Sequence, residues 1–302
     1  MTAASRPDII PRVEEPSGEQ RSRLTAGSSG VVATPAGDPS MAVLVLAGSG
    51  GRIDERRARL LAGRDALAVS IRWFGGPGQP PGICEVPLET FTAVIDGLEA
   101  LGSGRIGIVG TSKGAEAALW VACVDPRVAA VVAVAPTSVG WANVGPGRDN
   151  RTRPWRSSWT WRGRPLPFVP YDDTWPESSP PVAYRTLYEQ SLATHPAAAG
   201  AAAIPVERTR ADLVLIGGGD DQMWPSDRFI AQIEDRRRRS GRAVVSLVEP
   251  GAGHRPVFPG EEPPAPSDLA IYGGSPGADR ALGRRAWPLI LETLGADPPS
   301  GP

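Results

Sequence analysis

Arg105-Ile106-Gly107-Ile108-Val109-Gly110-Thr111-Ser112-Lys113-Gly114-Ala115-Glu116-Ala117-Ala118-Leu119-Trp120-Val121-Ala122 is the stretch that decides the fold. A short apolar run from Ile106 to Val109 enters a Gly-x-Ser-x-Gly turn and passes directly into a helical run. Strand, tight turn and helix with a serine at the crest form a nucleophile elbow, which exposes the hydroxyl on a strained backbone. The glycines two residues to either side let strand and helix approach without Cβ clashes. The N–H of Lys113, at the helix start, is placed to help hold a developing oxyanion. A second match, Gly273-Gly274-Ser275-Pro276-Gly277, fails chemically. Pro276 has no N–H to donate, no apolar strand precedes the motif and no histidine follows it, so Ser275 reads as a turn residue.

Outward from the elbow, short apolar runs alternate with helical patterns. The runs are Ala42 to Ala47, Ala66 to Ile71, Val128 to Val134, Leu213 to Ile216 and Val244 to Val248. Continuous apolar runs bounded by turn residues mark strands buried on both faces of a parallel sheet. Helices are expected over Asp54 to Leu61, Leu88 to Leu101, Ala115 to Cys123, Asp227 to Arg239 and Ala278 to Leu294. The alternation predicts an α/β fold, a mostly parallel sheet doubly wound by helices. A leading hairpin is expected between Leu24 and Thr34, and residues 1–20 read as a flexible, solvated tail before one catalytic domain over 21–302. Residues 137–200 break the rhythm with Pro, Arg and five tryptophans (Trp141, Trp155, Trp159, Trp161, Trp175), which predicts a cap insertion over the site.

Composition narrows the function classes. The 302 residues carry 32 basic and 33 acidic side chains, a net charge of −1, so no global basic surface is available for nucleic acid. No apolar run of about 18 residues is present, which argues against a membrane span. The start, Met1 to Pro7, lacks the apolar core of a signal peptide. Two cysteines, Cys84 and Cys123, make neither a disulfide framework nor a cysteine-based zinc site. A cytoplasmic protein without cofactor or metal is expected.

A serine needs a base to take its proton and an acid to orient that base. With two histidines in the chain, the base is His195 or His254. His254 closes Glu249-Pro250-Gly251-Ala252-Gly253-His254 just after the last predicted strand, where such sheets present functional groups. His195 lies before an alanine run, away from any strand, and reads as a surface or helix-end residue. The strand Leu213 to Ile216 runs into Gly217-Gly218-Gly219-Asp220-Asp221-Gln222-Met223-Trp224, so either Asp220 or Asp221 can be the acid, while Asp227 reads as a first-turn helix residue. A second oxyanion donor is expected from Gly48-Ser49-Gly50-Gly51, at Ser49 or Gly50. That loop does not fit the Gly-x-Gly-x-x-Gly of a dinucleotide site, because position 53 is Ile and no acid closes the next strand.

These stretches resemble the acyl-CoA thioesterase and bile acid-CoA:amino acid N-acyltransferase family, in its C-terminal α/β-hydrolase catalytic domain. The likeness is carried by Gly107 to Gly114, Ala142-Asn143-Val144-Gly145, Ile204 to Arg208, Gly219 to Trp224, Pro250 to His254 and Tyr272 to Pro276, in order along the chain. Carried over residue by residue, Ser112 matches the nucleophile, His254 the base and Asp221 the acid, three residues after Gly218 and four before Pro225. The resemblance implies an α/β-hydrolase fold and, because the nucleophile is serine and not the cysteine of the amino acid transferases, hydrolysis of an acyl thioester. An esterase, lactonase, amidase or acyltransferase on the same triad is the alternative, and a non-catalytic binding protein a further one. Arg148, Arg151, Arg153, Arg156, Arg162 and Arg164 either contact CoA phosphates or simply serve as the cation of a chain with one lysine.

Overall fold

The computed structural model describes residues 17–102 and 104–295. Its centre is a seven-stranded sheet built from β1 (Gly30–Ala33), β2 (Met41–Leu46), β3 (Ala66–Ile71), β5 (Ile106–Thr111), β6 (Val128–Val134), β9 (Asp212–Gly218) and β10 (Val245–Glu249). The strand order is β1-β3-β2-β5-β6-β9-β10. Only β1 runs antiparallel to its neighbour, so the sheet is parallel from β3 to β10. Strands β2, β3, β5 and β6 are buried on both faces because helices cover both. On one face Leu44, Val69, Ile108, Val131 and Leu215 pack with α3 (Glu89–Ala100), α4 (Lys113–Val124) and α7 (Ser226–Arg239). On the other, Val43, Val45, Val109, Val132 and Val214 pack with α2 (Glu55–Ala62) and α8 (Pro276–Leu294).

The amino-terminal hairpin does not form. Gly18–Leu24 is instead a helix, α1, whose Glu, Gln and Arg residues favour that state and whose final Leu24 is buried in the main core. The chain then turns through Ala26 and Gly27, both at positive φ, so β1 finds its antiparallel partner in β3, with Gly30 opposite Ile71. The expected tail therefore lies outside the described residues up to position 16, and residues 18–20 belong to α1.

The 137–200 segment carries β7 (Trp159–Trp161), β8 (Arg164–Pro165), α5 (Arg185–Thr194) and most of α6 (Pro196–Ala201). β7 and β8 join β4 (Val86–Pro87) in a small second sheet. Trp141 and Trp159 are fully buried. Trp141 packs with Val169, Tyr171 and Tyr188 in a satellite core that also contains Trp224 and Phe229 from the body.

Candidate active site

Ser112 follows the end of the β5 run and precedes α4 with φ 55° and ψ −120°, a backbone region costly for a residue with a Cβ. The flanking glycines explain how the turn closes. A Cβ on Gly110 would collide with the carbonyl of Gly114, and one on Gly114 with the carbonyls of Leu46 and Ala47. The Ser112 N–H donates to Val134 O at 2.9 Å, while its carbonyl accepts from Ala115 and Glu116. Its hydroxyl makes no hydrogen bond among the described residues, and the backbone N–H of Lys113 has no acceptor among them.

The β2 loop meets the elbow at Gly48. A Cβ there would lie 3.2 Å from Ser112 Cβ and 3.7 Å from its Oγ, whereas Gly50 faces open space. Ser49 and Gly50 form the turn just beyond. The sheet register accounts for this: Leu46 pairs with Gly110, so two residues further along each strand bring Gly48 level with Ser112.

His254 and Asp221 are joined. The Nδ1–H of His254 donates to Asp221 Oδ2 at 2.8 Å, with both side chains buried. The other oxygen, Oδ1, accepts from the N–H groups of Met223 and Trp224 at 2.9 and 3.2 Å, which holds the carboxylate in one orientation. Asp220 points elsewhere: Oδ2 accepts from Gly274 N at 2.9 Å and Oδ1 from Gln222 Nε2 at 2.6 Å. The adjacent aspartates thus divide between histidine and turn. The Gly273-Gly274 turn packs on Gly253, and Tyr272 O accepts from His254 N at 2.9 Å, so the turn fixes the backbone of the histidine loop.

The remaining sequence candidates separate cleanly. His195 lies between α5 and α6 at a helix boundary, and Ser275 caps α8 by accepting from Ala278 N at 3.3 Å. Asp227 pairs with Arg185 at 3.0 Å, and Arg185 also donates to Asp221 O at 3.1 Å, fastening the acid loop to α5. Among the insertion arginines, Arg153 pairs with Asp173 at 2.6 Å and stacks on Trp155, while Arg156 pairs with Asp149 at 2.9 Å. Arg148 donates to Gly78 O at 2.9 Å. These three arginines are therefore already engaged within the fold.

Two arrangements had no signal in the sequence. Lys113 Nζ is buried against Glu116 Oε2 at 2.6 Å and Ser158 Oγ at 2.8 Å. Glu116 Oε1 accepts from Trp141 N at 2.9 Å and Trp159 Nε1 at 2.8 Å, so one ion pair ties the elbow helix to the insertion. Beside the elbow, the half-buried Arg57 donates to Thr111 Oγ1 at 2.7 Å, pairs with Glu261 at 2.9 Å and packs on the Phe258 ring. These contacts border a cavity of about 530 Å³ between the β2 loop, Thr111 and the segment after His254. Among the described residues no cluster of His, Cys, Asp and Glu could hold a metal, and no helix is long and apolar enough to cross a membrane.

Comparison with known proteins identifies the family and the fold. The sequence model of the family described as BAAT / acyl-CoA thioester hydrolase C terminal matches residues 88–295. The rat acyl-coenzyme A amino acid N-acyltransferase 2 is 26% identical over 84% of this chain and 59% of its own length. The mouse mitochondrial acyl-coenzyme A thioesterase 2 is 26% identical over 74% of this chain and 48% of its own. The chain thus spans about half the length of the curated relatives it matches. A puromycin-hydrolyzing peptidase of Mycobacterium tuberculosis superposes with a TM-score of 0.55 at 16% identity, over 96% of this chain and 40% of that one. The fold is that of the α/β hydrolases.

Proposed function

For this chain, which belongs to the BAAT / acyl-CoA thioester hydrolase C-terminal family, we propose a serine hydrolase that cleaves acyl thioesters through an acyl-enzyme. The observation that carries the reading is the buried Asp221–His254 hydrogen bond in a chain whose elbow presents Ser112. In the proposed mechanism the Ser112 hydroxyl passes its proton to His254 Nε2 as Oγ attacks the acyl carbonyl. His254 returns that proton to the departing thiol, then takes one from the water that attacks the acyl-enzyme and passes it to Ser112 Oγ as the acyl–Oγ bond breaks and the acid leaves. Asp221 holds the imidazole in the tautomer that leaves Nε2 free, and would offset the charge that develops on it. Catalytic hydrogen bonds are often open without substrate, which is compatible with the unbonded Ser112 hydroxyl. The backbone N–H of Lys113 and the Gly48-Ser49-Gly50 loop are the proposed oxyanion donors.

Serine at the elbow favours hydrolysis over amide formation, although one relative is named an N-acyltransferase. Neither Cys84 nor Cys123 lies in the elbow, and both are free thiols, which also supports the proposed cytoplasmic location. A simple ester, lactone or amide substrate is the second reading, favoured by the pairing of Arg153 and Arg156 with carboxylates rather than with open space. The decisive experiment crosses CoA thioesters with matched simple esters, in the wild type and Ser112→Ala, with a fluorophosphonate to tag the nucleophile. Thioester turnover that survives Ser112→Ala, or a tag on another residue, overturns the proposal.

A further inference from the structure

Ser112 and His254 belong to loops that follow strands three places apart in the sheet. β6 and β9 lie between β5 and β10, and at about 4.8 Å per strand the two strand ends are roughly 14 Å from each other. The histidine chain must therefore return towards the elbow for its imidazole to serve the serine. Arg57 meets both. Alternation along β5 puts Thr111 on the face of Val109, which packs with α2 and α8. From the first turn of α2, Arg57 donates to Thr111 Oγ1 at 2.7 Å and from Nε to Glu261 Oε1 at 3.0 Å. Glu261 Oε2 accepts from Phe258 N at 3.0 Å, and Glu261 N donates to Phe258 O at 2.9 Å, so the carboxylate that faces Arg57 also closes its own turn. The Phe258 ring centroid lies 4.7 Å from the guanidinium carbon. Asp54 fixes the near end, accepting from Arg57 N at 3.3 Å while its own N–H donates to Ser70 Oγ at 2.9 Å on β3. Among the described residues no hydrogen bond or ion pair joins residues 110–114 to residues 249–261 directly; the connection runs through Arg57.

Resting on the serine hydrolase reading, we infer that Arg57 is a positioning residue for the reaction: through Thr111 and Glu261 it sets how closely Ser112 and His254 approach. Thr111 is the residue before the nucleophile, and Phe258 stands four residues after the base. Each end of the strut is thus a short stretch of chain from a reacting group. Ser112, at φ 55°, holds a backbone conformation that its surroundings have to impose, and the tied hydroxyl of Thr111 beside it is part of that constraint. The guanidinium is planar and presents its donors in a fixed fork, so one side chain sets both distance and direction between the two loops. The side chains of Arg57 and Glu261 are 11% and 10% exposed, so solvent screens the pair little. Arg57 touches no reacting atom; it acts through the turns it holds. A misplacement of about 1 Å at the reacting atoms costs on the order of 100-fold in rate, which is the scale on which a loosened strut is read.

The test loosens the strut at its ends and leaves Arg57 in place, because removing the guanidinium would strand the Glu261 charge and endanger the fold. Thr111→Val exchanges the hydroxyl for a methyl and keeps the β-branched shape that suits a strand, Thr111→Ser keeps the hydroxyl, and Glu261→Gln weakens the other end. Two rates are measured on protein shown to be folded by its melting curve: turnover of p-nitrophenyl butyrate, and labelling of Ser112 by a small uncharged fluorophosphonate. Labelling needs no substrate and is the deciding rate. Thr111→Val should lower kcat and the labelling rate together by about 10- to 100-fold, with KM within about twofold of wild type. Thr111→Ser should recover both rates to within about threefold. The double variant Thr111→Val/Glu261→Gln should be no slower than the slower single one, because both changes act through one side chain. A Thr111→Val protein that labels at the wild-type rate, whatever its melting temperature, overturns the inference and leaves a tie that only holds the fold. A loss confined to KM, or two losses that multiply in the double variant, overturns it as well. If Ser112 of the wild type takes no phosphonate, the hydrolase reading fails and the inference falls with it. If the wild type and the valine variant react equally fast, the inference alone fails.

Discussion

Replacing Lys113 by Met tests whether the side chain next to the candidate nucleophile holds the insertion in place. The substitution keeps a long apolar stem in the buried slot and removes only the ammonium. Glu116 is left with the N–H donors of Trp141 and Trp159 but without its counter-charge, at zero exposure. Removing one member of a fully buried pair costs about 3–5 kcal/mol, because the partner's charge stays desolvated. At roughly 2–4 °C per kcal/mol for chains somewhat shorter than this one, Tm should fall by on the order of 10 °C. The double change Lys113→Met with Glu116→Gln removes both charges, while the amide oxygen that replaces the carboxylate can still accept from the tryptophans. It should recover at least half of the loss. Thermal melts of the four proteins complete the cycle, and the rate of fluorophosphonate labelling reports whether the elbow keeps its shape. A Lys113→Met protein that melts within about 2 °C of wild type, or a double variant less stable than either single one, would refute the reasoning.

Asp221→Asn should lower kcat by several orders of magnitude while Asp220→Asn costs mainly stability, because only Asp221 faces His254. Steady-state kinetics paired with melts separate the two, and the opposite ranking would exchange their roles. Burial pushes the Cys123 thiol up to about 12, so native protein should resist iodoacetamide at this residue near pH 8 and react fully once unfolded. Mass spectrometry of the Cys123 peptide reads both states. Hydrogen bonds from Thr194, then Thr174 and Gln190, hold the Asp172 carboxyl well below the ordinary carboxylate range. Its folded pKa is depressed, so its stabilisation is complete above about pH 5 and is lost as pH falls through the unfolded value towards the folded one. The stability gap between wild type and Asp172→Asn should therefore narrow on acidification through that window, as denaturant midpoints would show.

Much of the fold is legible because buried parallel strands write themselves as unbroken apolar runs. Ala66 to Ile71 and Val128 to Val134 fall where the sequence puts them. Ser112, Asp221 and His254 stand out because glycine-rich loops follow three such runs. The loop pattern points to Ser49 and Gly50 ahead of Gly48, since only the β2–β5 register shows which loop residue stands level with the serine. Arg57, Arg185 and Glu116 are invisible for a related reason. Arg57 meets Glu261 across 204 positions, and no local pattern encodes such a meeting. The hairpin expectation fails because Leu24, apolar enough for a strand, anchors the end of a helix. The arginines near position 150 look like a patch by composition alone, and the fold commits two of them, Arg153 and Arg156, to nearby carboxylates.

The satellite core has a consequence for how specificity can change in this protein. Tyr188 of α5 and Trp224 of the acid loop meet edge to face, and Trp224 meets the His254 ring in the same way. The insertion is thus a fixed wall whose inner surface touches the aromatic neighbour of the histidine. A wall mounted like this does not swing without disturbing Trp224, so a different substrate cannot be admitted by loosening it. Reshaping therefore falls to the chain from Pro259 to Ile271, which borders the insertion at Val182, crosses the surface with little regular structure and exposes Leu269. Loops of that kind accept insertions and substitutions at low cost to the core. Selection for a new substrate has its freedom there, and near Trp224 it has almost none.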